Sequence, residues 1–397
     1  MLARREEIAH GAAQQSAAVS FGELALPLPY KCLLLVTAGV WLWYLNLRVC
    51  YACKIDTLQV LKLSGTDNHR LVRASLNVAY KVSFMNLVNY SIYLLFVSNE
   101  QYFRGLEYLP LLAIMLTFGT LMWPYGAQSP ERKRFVETAR RICVGNIDIP
   151  HRNNDILLAD TFTSYTKVLV DFLVYVTALA LGYQTLPSPN IKQELTKDHL
   201  KIYNLDILLS MYPSLIRFKQ CLHEYEQSRR RNKQHLMNAI KYSSAFLPLF
   251  ANILIRSNMA GLRIWYLAVF INSSYTFFWD VHYDWNFQMF MRFLSSKRGL
   301  PLLRHKLVYT STFYYLAIFI DLQLRFVWVY RLLYPDLLSG EQYSWVAAVL
   351  SSLYVDETGN FVLEILEIFR RWVWVFLKIE TEYLKSATEP DLELQSM

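Results

Sequence analysis

Apolar stretches of about twenty residues recur along the chain, each bounded by a short charged or turn-forming segment. The pattern predicts helices over about Lys31–Arg48, Val78–Val97, Tyr108–Tyr125, Ile156–Leu181, Tyr203–Leu222, Leu236–Ile255, Leu262–Trp285, Leu307–Leu333 and Phe361–Tyr383. Runs of that length suit a helix that crosses a bilayer, whereas a transmembrane barrel would show short alternating strands. The expected fold is therefore all-α, a polytopic helical integral membrane protein of about eight to ten spans. Between the spans, Arg132–Ile147 reads as an amphipathic helix lying on the cytosolic surface. Gln184–Leu200, with Pro187 and Pro189, reads as a turn region, and a short apolar piece, Trp345–Tyr354, leads into the last helix. The organisation is then a polar tail over 1–30, N-terminal spans with a basic cytosolic loop over 31–153, a transmembrane core over 154–385 and a polar tail over 386–397.

Composition supports the membrane reading. Of 397 residues, 54% are hydrophobic and 15% aromatic, too many long apolar runs for a soluble chain of two or three domains. The net charge of +8 is gathered in a few short loops, so it speaks of topology and not of a nucleic-acid surface. Loops 129–153, 223–235 and 286–306 are basic and the alternate loops are not, which places these three, and the C-terminus, in the cytosol. Three spans before the first basic loop leave the N-terminus on the other side, against the mild pull of Arg4 and Arg5. One further span or a re-entrant hairpin before residue 130 would restore a cytosolic start. Cys50 and Cys53 form a CxxC with no second pair or histidine cluster, so no metal is expected. The polar start MLARREEIAHGAAQQ lacks a signal-peptide pattern, and there is no GxxxxGK[ST] phosphate loop.

The chemistry-bearing stretch is SSYTFFWDVHYDWNF, Ser273 to Phe287. Asp280 and Asp284 stand four residues apart, on one helical face inside an apolar, aromatic run. An ionised Asp at the bilayer centre costs about 2.5–3.5 kcal/mol, so that face must look into a polar cavity or meet cations. Lys241, Arg325, Arg370 and Arg371 each lie in or at the edge of another apolar segment and supply them. Asp160, Thr163, Lys167 and Asp171 add polar groups to the fourth span. Each feature has a plainer reading. The arginine pair could snorkel to headgroups, the aspartates could form structural ion pairs with Arg325 or Lys241, and Arg217 could be a topology residue. Phe277, Phe278, Trp279 and Trp285 read first as packing surface, and His282 as a packed polar group. The sequons at Asn89 and Asn272 fall inside predicted spans and are not expected to be glycosylated.

From Asp206 onward the segments RFKQCLHEYEQSRRRNKQHLMNAIKYSSAF, INSSYTFFWDVHYDWNF, DLQLRFVWVYRL and LEIFRRWVWVFLKIETEYL closely resemble the EXS family of membrane domains. With Asp160 included, the likeness covers roughly the last two-thirds of the chain. It is closest to the Golgi branch without the SPX domain that senses inositol pyrophosphates. The resemblance implies inorganic phosphate transport with no covalent chemistry and no cofactor, along a path through Asp160, Lys241, Tyr242, Asp280, Asp284, Arg325, Arg370 and Arg371. It implies gating roles for Arg217 and Trp328, and places Thr163 where the receptor-type exporters have Asn. The expected partners are inorganic phosphate, the lipid bilayer and a second copy in a homodimer. The rival is a non-transporting Golgi adaptor that retains glycosyltransferases through cytosolic sorting partners. An enzyme of lipid headgroups is a weaker rival, since no nucleophile–base pair or metal cluster is apparent.

Overall fold

The structure, a computed structural model, describes residues 24–98, 104–122, 130–186, 204–290, 302–330, 332 and 357–395. Among the described residues every regular element is helical, as expected. The longer helices are α1 (Leu28–Ala52), α2 (Thr57–Leu61), α3 (Asn68–Ser98), α4 (Leu109–Met122), α5 (Pro130–Cys143), α6 (Arg152–Thr163), α7 (Thr166–Ala180), α8 (Leu205–Gln227), α9 (Lys233–Ser244), α10 (Phe246–Arg256), α11 (Leu262–Trp279), α12 (Ser311–Arg325) and α13 (Glu357–Gln395). 3-10 turns occupy Arg104–Tyr108 and Ile149–His151, and a π-helical turn occupies Asp280–Asp284. The expected tail over 1–23, the Pro187 and Pro189 turn, residues 291–301 of the third basic loop and the Trp345–Tyr354 piece lie outside the described residues.

Leu28–Ala52 and Gly105–Met122 are long and apolar enough to cross a membrane, and Ile149–Thr163 with Thr166–Ala180 makes a third span if that bent pair counts as one. The other helices carry charged and hydroxyl side chains that lower their mean hydropathy, and many of those groups point inward. Outward, α3 presents Phe84, Leu87 and Leu95, α4 Met115 and Phe118, α11 Leu267 and Phe270, and α12 Phe319, all exposed. Apolar outside and polar inside is the arrangement expected of a bundle solvated by lipid.

Packing settles the direction of the helices. Tyr30 at the start of α1 packs with Tyr93 near the end of α3 and with Leu106, Ala113 and Leu186. Leu47 and Cys50 at the other end of α1 pack with Trp374–Leu377 of α13 and, through Ile55 and Val60, lie near the start of α6, where Asn153 and Asn154 donate to the Val60 and Leu61 carbonyls. That second end lies beside the first basic loop, and α1 begins at the opposite end of the bundle. No long helix besides α1, α3 and α4 precedes α5 among the described residues. α5 is the expected amphipathic helix, held by Arg141, whose guanidinium meets Asp155 at 2.9 and 2.6 Å.

The spans expected to be continuous over Ile156–Leu181, Leu236–Ile255, Leu262–Trp285 and Leu307–Leu333 are not. The first breaks between α6 and α7 with a 61° bend. Thr163 donates to the Asp160 carbonyl and Thr166 to the Thr163 carbonyl, each at 2.7 Å, hydroxyl competition that weakens the helical ladder. The second breaks at Ala245, where Pro248 has no N–H to return to the preceding turn. The third widens into the π turn, with Trp285 N donating to the Asp280 carbonyl at 2.9 Å. The fourth starts only at Ser311 and stops at Arg325.

α1 meets the α6–α7 break at a tight point. A Cβ on Gly39 would lie 1.9 Å from the Tyr165 hydroxyl oxygen and 3.0 Å from its ring carbon. Gly39→Ala should therefore destabilise the bundle by about 1–3 kcal/mol through overpacking. A thermal melt of the purified protein should show a lowered midpoint that Tyr165→Phe in the same chain largely restores.

Candidate functional site

The interruptions gather the polar residues. Asp280 is fully buried, and three cations close on it. Lys241 Nζ approaches at 2.8 Å, the Arg325 guanidinium makes a tight contact, and Arg370 Nη1 stands at 3.7 Å. Lys241 also reaches Asp284 at 3.1 Å, so the π turn keeps both aspartates on one side and one ammonium bridges them. The expectation that Asp280 and Asp284 share a face and meet Lys241 and Arg325 is met, by a wider turn than an α-helix.

The contacts run on in both directions. Arg370 binds Asp321 at 3.0 Å and Glu367 at 2.6 Å, and Arg325 binds Asp321 at 3.1 Å. Further along α13, Lys378 binds Asp284 at 3.2 Å and Glu382 at 3.1 Å, and Lys385 binds Glu382 at 3.2 Å. Glu367, Arg370, Asp321, Arg325, Asp280, Lys241, Asp284, Lys378, Glu382 and Lys385 thus form one ladder of alternating charge. Each buried ion has a counter-ion, as a low-dielectric interior demands.

Arg371 stands beside this ladder and differs from it. Its Nε donates to Ser164 Oγ at 3.1 Å and its Nη2 to Thr163 Oγ1 at 3.0 Å, both at the α6–α7 break, and its guanidinium lies over the Trp374 ring, 4.8 Å from the centroid. Its Nη1 is buried with no hydrogen-bond partner. The snorkelling alternative for Arg370 and Arg371 is overturned, since both are buried.

Asp160 forms a neighbouring knot. It accepts from Arg217 Nε at 2.9 Å and from the Tyr242 hydroxyl, and Arg217 lies over the Tyr242 ring, 4.9 Å from the centroid. Arg217 is 1% exposed, which removes the reading as a surface topology residue. Trp328 sits apart, its Nε1 donating to Ser273 Oγ at 3.2 Å with its ring beside Tyr266. His282 stacks on Phe278, a packed polar group as expected.

Asp321, Glu367, Lys378 and Glu382 were not singled out from sequence. A periodic signal existed for three of them, because 367, 371, 374, 378 and 382 fall on one stripe of a single helix. Asp321 stands one turn before Arg325. Two loop cations expected to be surface charge are also paired: Arg304 meets Glu380, with Trp285 O at 3.1 Å, and Arg152 meets Glu224. Burial pushes the His235 imidazole below its ordinary value despite the opposing Glu224 carboxylate. No group of three or more His, Cys, Asp or Glu able to hold a metal occurs among the described residues.

The EXS family matches residues 26–384 of this chain. Protein ERD1 of Kluyveromyces lactis is 35% identical over 250 residues, 59% of this chain and 60% of that protein. Protein ERD1 homolog 1 of Schizosaccharomyces pombe is 29% identical over 379 residues, 91% of each chain. Solute carrier family 53 member 1 of Homo sapiens is 28% identical over 251 residues, 59% of this chain and 33% of the human one.

Removing one partner of a buried pair leaves an uncompensated charge, at a cost of about 3–5 kcal/mol. Asp160→Leu or Arg217→Met alone should lower the thermal midpoint sharply, and the two together should cost less than the sum. Additive losses in that double-mutant cycle would show that the pair is not coupled.

Proposed function

The chain belongs to the EXS family, and from that premise we propose that it carries inorganic phosphate across the Golgi membrane from lumen to cytosol. The observation that carries the reading is Arg371. A buried guanidinium fixed by two hydroxyls and an indole ring, with one donor left open at a helix break, is a receptor for an oxyanion. Arg325 and Arg370 stand on the same ladder and offer planar forks that fit phosphate oxygens. Lys241 adds a point charge, and the next residue, Tyr242, gives its hydroxyl to Asp160.

The carboxylates explain release. In the ladder Lys241, Arg325, Arg370, Lys378 and Lys385 face Asp280, Asp284, Asp321, Glu367 and Glu382, five cations against five anions. Beyond Arg371, phosphate binds by displacing a carboxylate from a cation, and the carboxylate returns when phosphate moves on, so the anion is held without being trapped. A carboxylate can also accept the proton of hydrogen phosphate, which sulfate lacks near neutral pH. Glycosyl transfer from nucleotide sugars releases nucleoside diphosphates, whose hydrolysis leaves phosphate in the Golgi lumen, and a path to the cytosol would return it. Retention of glycosyltransferases then follows from luminal phosphate.

The adaptor reading has one observation of its own. The turn at Arg229 and Arg230, both at positive φ, holds exposed cations away from the ladder. Charge-neutral substitutions there should abolish retention and leave flux intact if that turn binds a sorting partner.

The deciding measurement is radioactive phosphate efflux from proteoliposomes of the purified protein. Arg371→Ala should cut flux by about tenfold or more, equivalent to ~1.4 kcal/mol of lost binding, and Arg371→Lys should not restore it because the fork is lost. Flux from the parent no greater than from empty liposomes would sink the transport reading. Asp280→Asn should admit sulfate that the parent excludes; unchanged exclusion would remove Asp280 from the selectivity argument.

A further inference from the structure

Beside Asp284 a cavity of about 340 Å³ opens between α6, α8, α9 and α13. Arg152, Arg217, Lys378 and Lys385 line it against the carboxylates Asp284 and Glu382. Asp284 is the partition: one oxygen takes Lys241 from the central cluster and the other takes Lys378 from the cavity wall. The cavity is therefore continuous with the ladder and separated from its centre by one ion pair.

Three further features of the wall suit an anion. Arg152 hydrogen-bonds Glu224 through Nε, which leaves the terminal fork for a bidentate oxyanion. The first turn of α9 lines the cavity with its N-cap Asn232, so the positive end of a helix dipole adds to the cations. Asn238 has a buried side-chain oxygen with no hydrogen-bond partner, and turning that amide over presents its NH2 group to a ligand.

Resting on the transport reading above, we propose that this cavity is a second oxyanion site, held by Lys378, Arg152 and Asn238, which takes phosphate as it leaves the central cluster. Lys378 is the transfer residue. It lets go of Asp284, follows the anion into the cavity and is drawn back by Asp284 and Glu382 when the anion departs. The class of ligand is a compact tetrahedral oxyanion, because the donors converge from three walls and no aromatic platform for a nucleotide base is offered beyond Trp279 and Tyr283, which stack on each other with centroids 4.3 Å apart.

The test is equilibrium binding of labelled inorganic phosphate to the purified full chain by scintillation proximity, in the parent and in Arg371→Ala, Lys378→Gln and the double variant. The parent should bind two equivalents, each single variant one, and the double variant none. Lys378→Arg should keep both. Arg152→Gln, which leaves the Asp284 contact intact, should also lose one equivalent and serves if Lys378→Gln does not fold. A parent that binds a single equivalent, lost in Arg371→Ala and kept in Lys378→Gln, would overturn the second site and leave the transport reading standing. A well-folded parent that binds none and shows no flux would overturn both.

Discussion

The bundle depends on Asp280 being neutralised. A carboxylate with no solvent exposure, at the depth where the helices are otherwise lipid-solvated, stands only because Lys241, Arg325 and Arg370 converge on it from three other helices. The cost of burying any one of these ions alone runs to several kcal/mol, so none is stable without the others. This couples α9, α11, α12 and α13 through charge, beside the apolar cluster in which Val281, Trp285, Tyr314, Ala317 and Trp374 pack the π turn against α12 and α13.

Convergence of that kind needs irregular backbone. A continuous helix spaces its side chains along one stripe and cannot aim several of them at one point. Breaking α6 from α7 by 61° lets Ser164 and Thr163 hold Arg371 from a helix end. The π turn widens the separation of Asp280 and Asp284 enough for Lys241 to sit between them. Irregular backbone at membrane depth is tolerated where it lines a protein interior, and here each break faces the ladder. The breaks and the charges are therefore one feature: the charges satisfy what the breaks expose, and the breaks place the charges.

Much of this was legible in the chain. The apolar runs gave the helical class, and the spacing of Asp280 and Asp284 pointed at Lys241 and Arg325. The helix breaks were not legible from hydropathy, because a window that averages over twenty residues passes smoothly across Thr163–Thr166 and Ala245. Pro248 was a readable sign of one break, and the cluster of threonine and serine at 161–166 a weaker sign of another. Lys378 and Glu382 lie inside the expected helix Phe361–Tyr383 and were not singled out there. Burial, which periodicity alone does not report, is what makes them part of the ladder. Arg304 was missed for the same reason: a cation in a basic loop looks alike in sequence whether it faces water or Glu380.

A ladder with as many carboxylates as cations is an unexpected receptor for an anion, and on the proposed transport reading that balance is what lets the anion move on. An all-cationic chamber would bind phosphate tightly and release it slowly. In the alternating ladder each step of that reading gives one cation a phosphate oxygen in place of a carboxylate, and the freed carboxylate stays close by to take the cation back. Arg371 breaks the symmetry. With two donors committed to hydroxyls and one open, it is the point where an anion gains a contact without first displacing one. On the proposed transport reading binding therefore begins there, beside the α6–α7 break, and the exchange of partners along Arg370, Arg325, Lys241 and Lys378 carries the anion down its own concentration gradient.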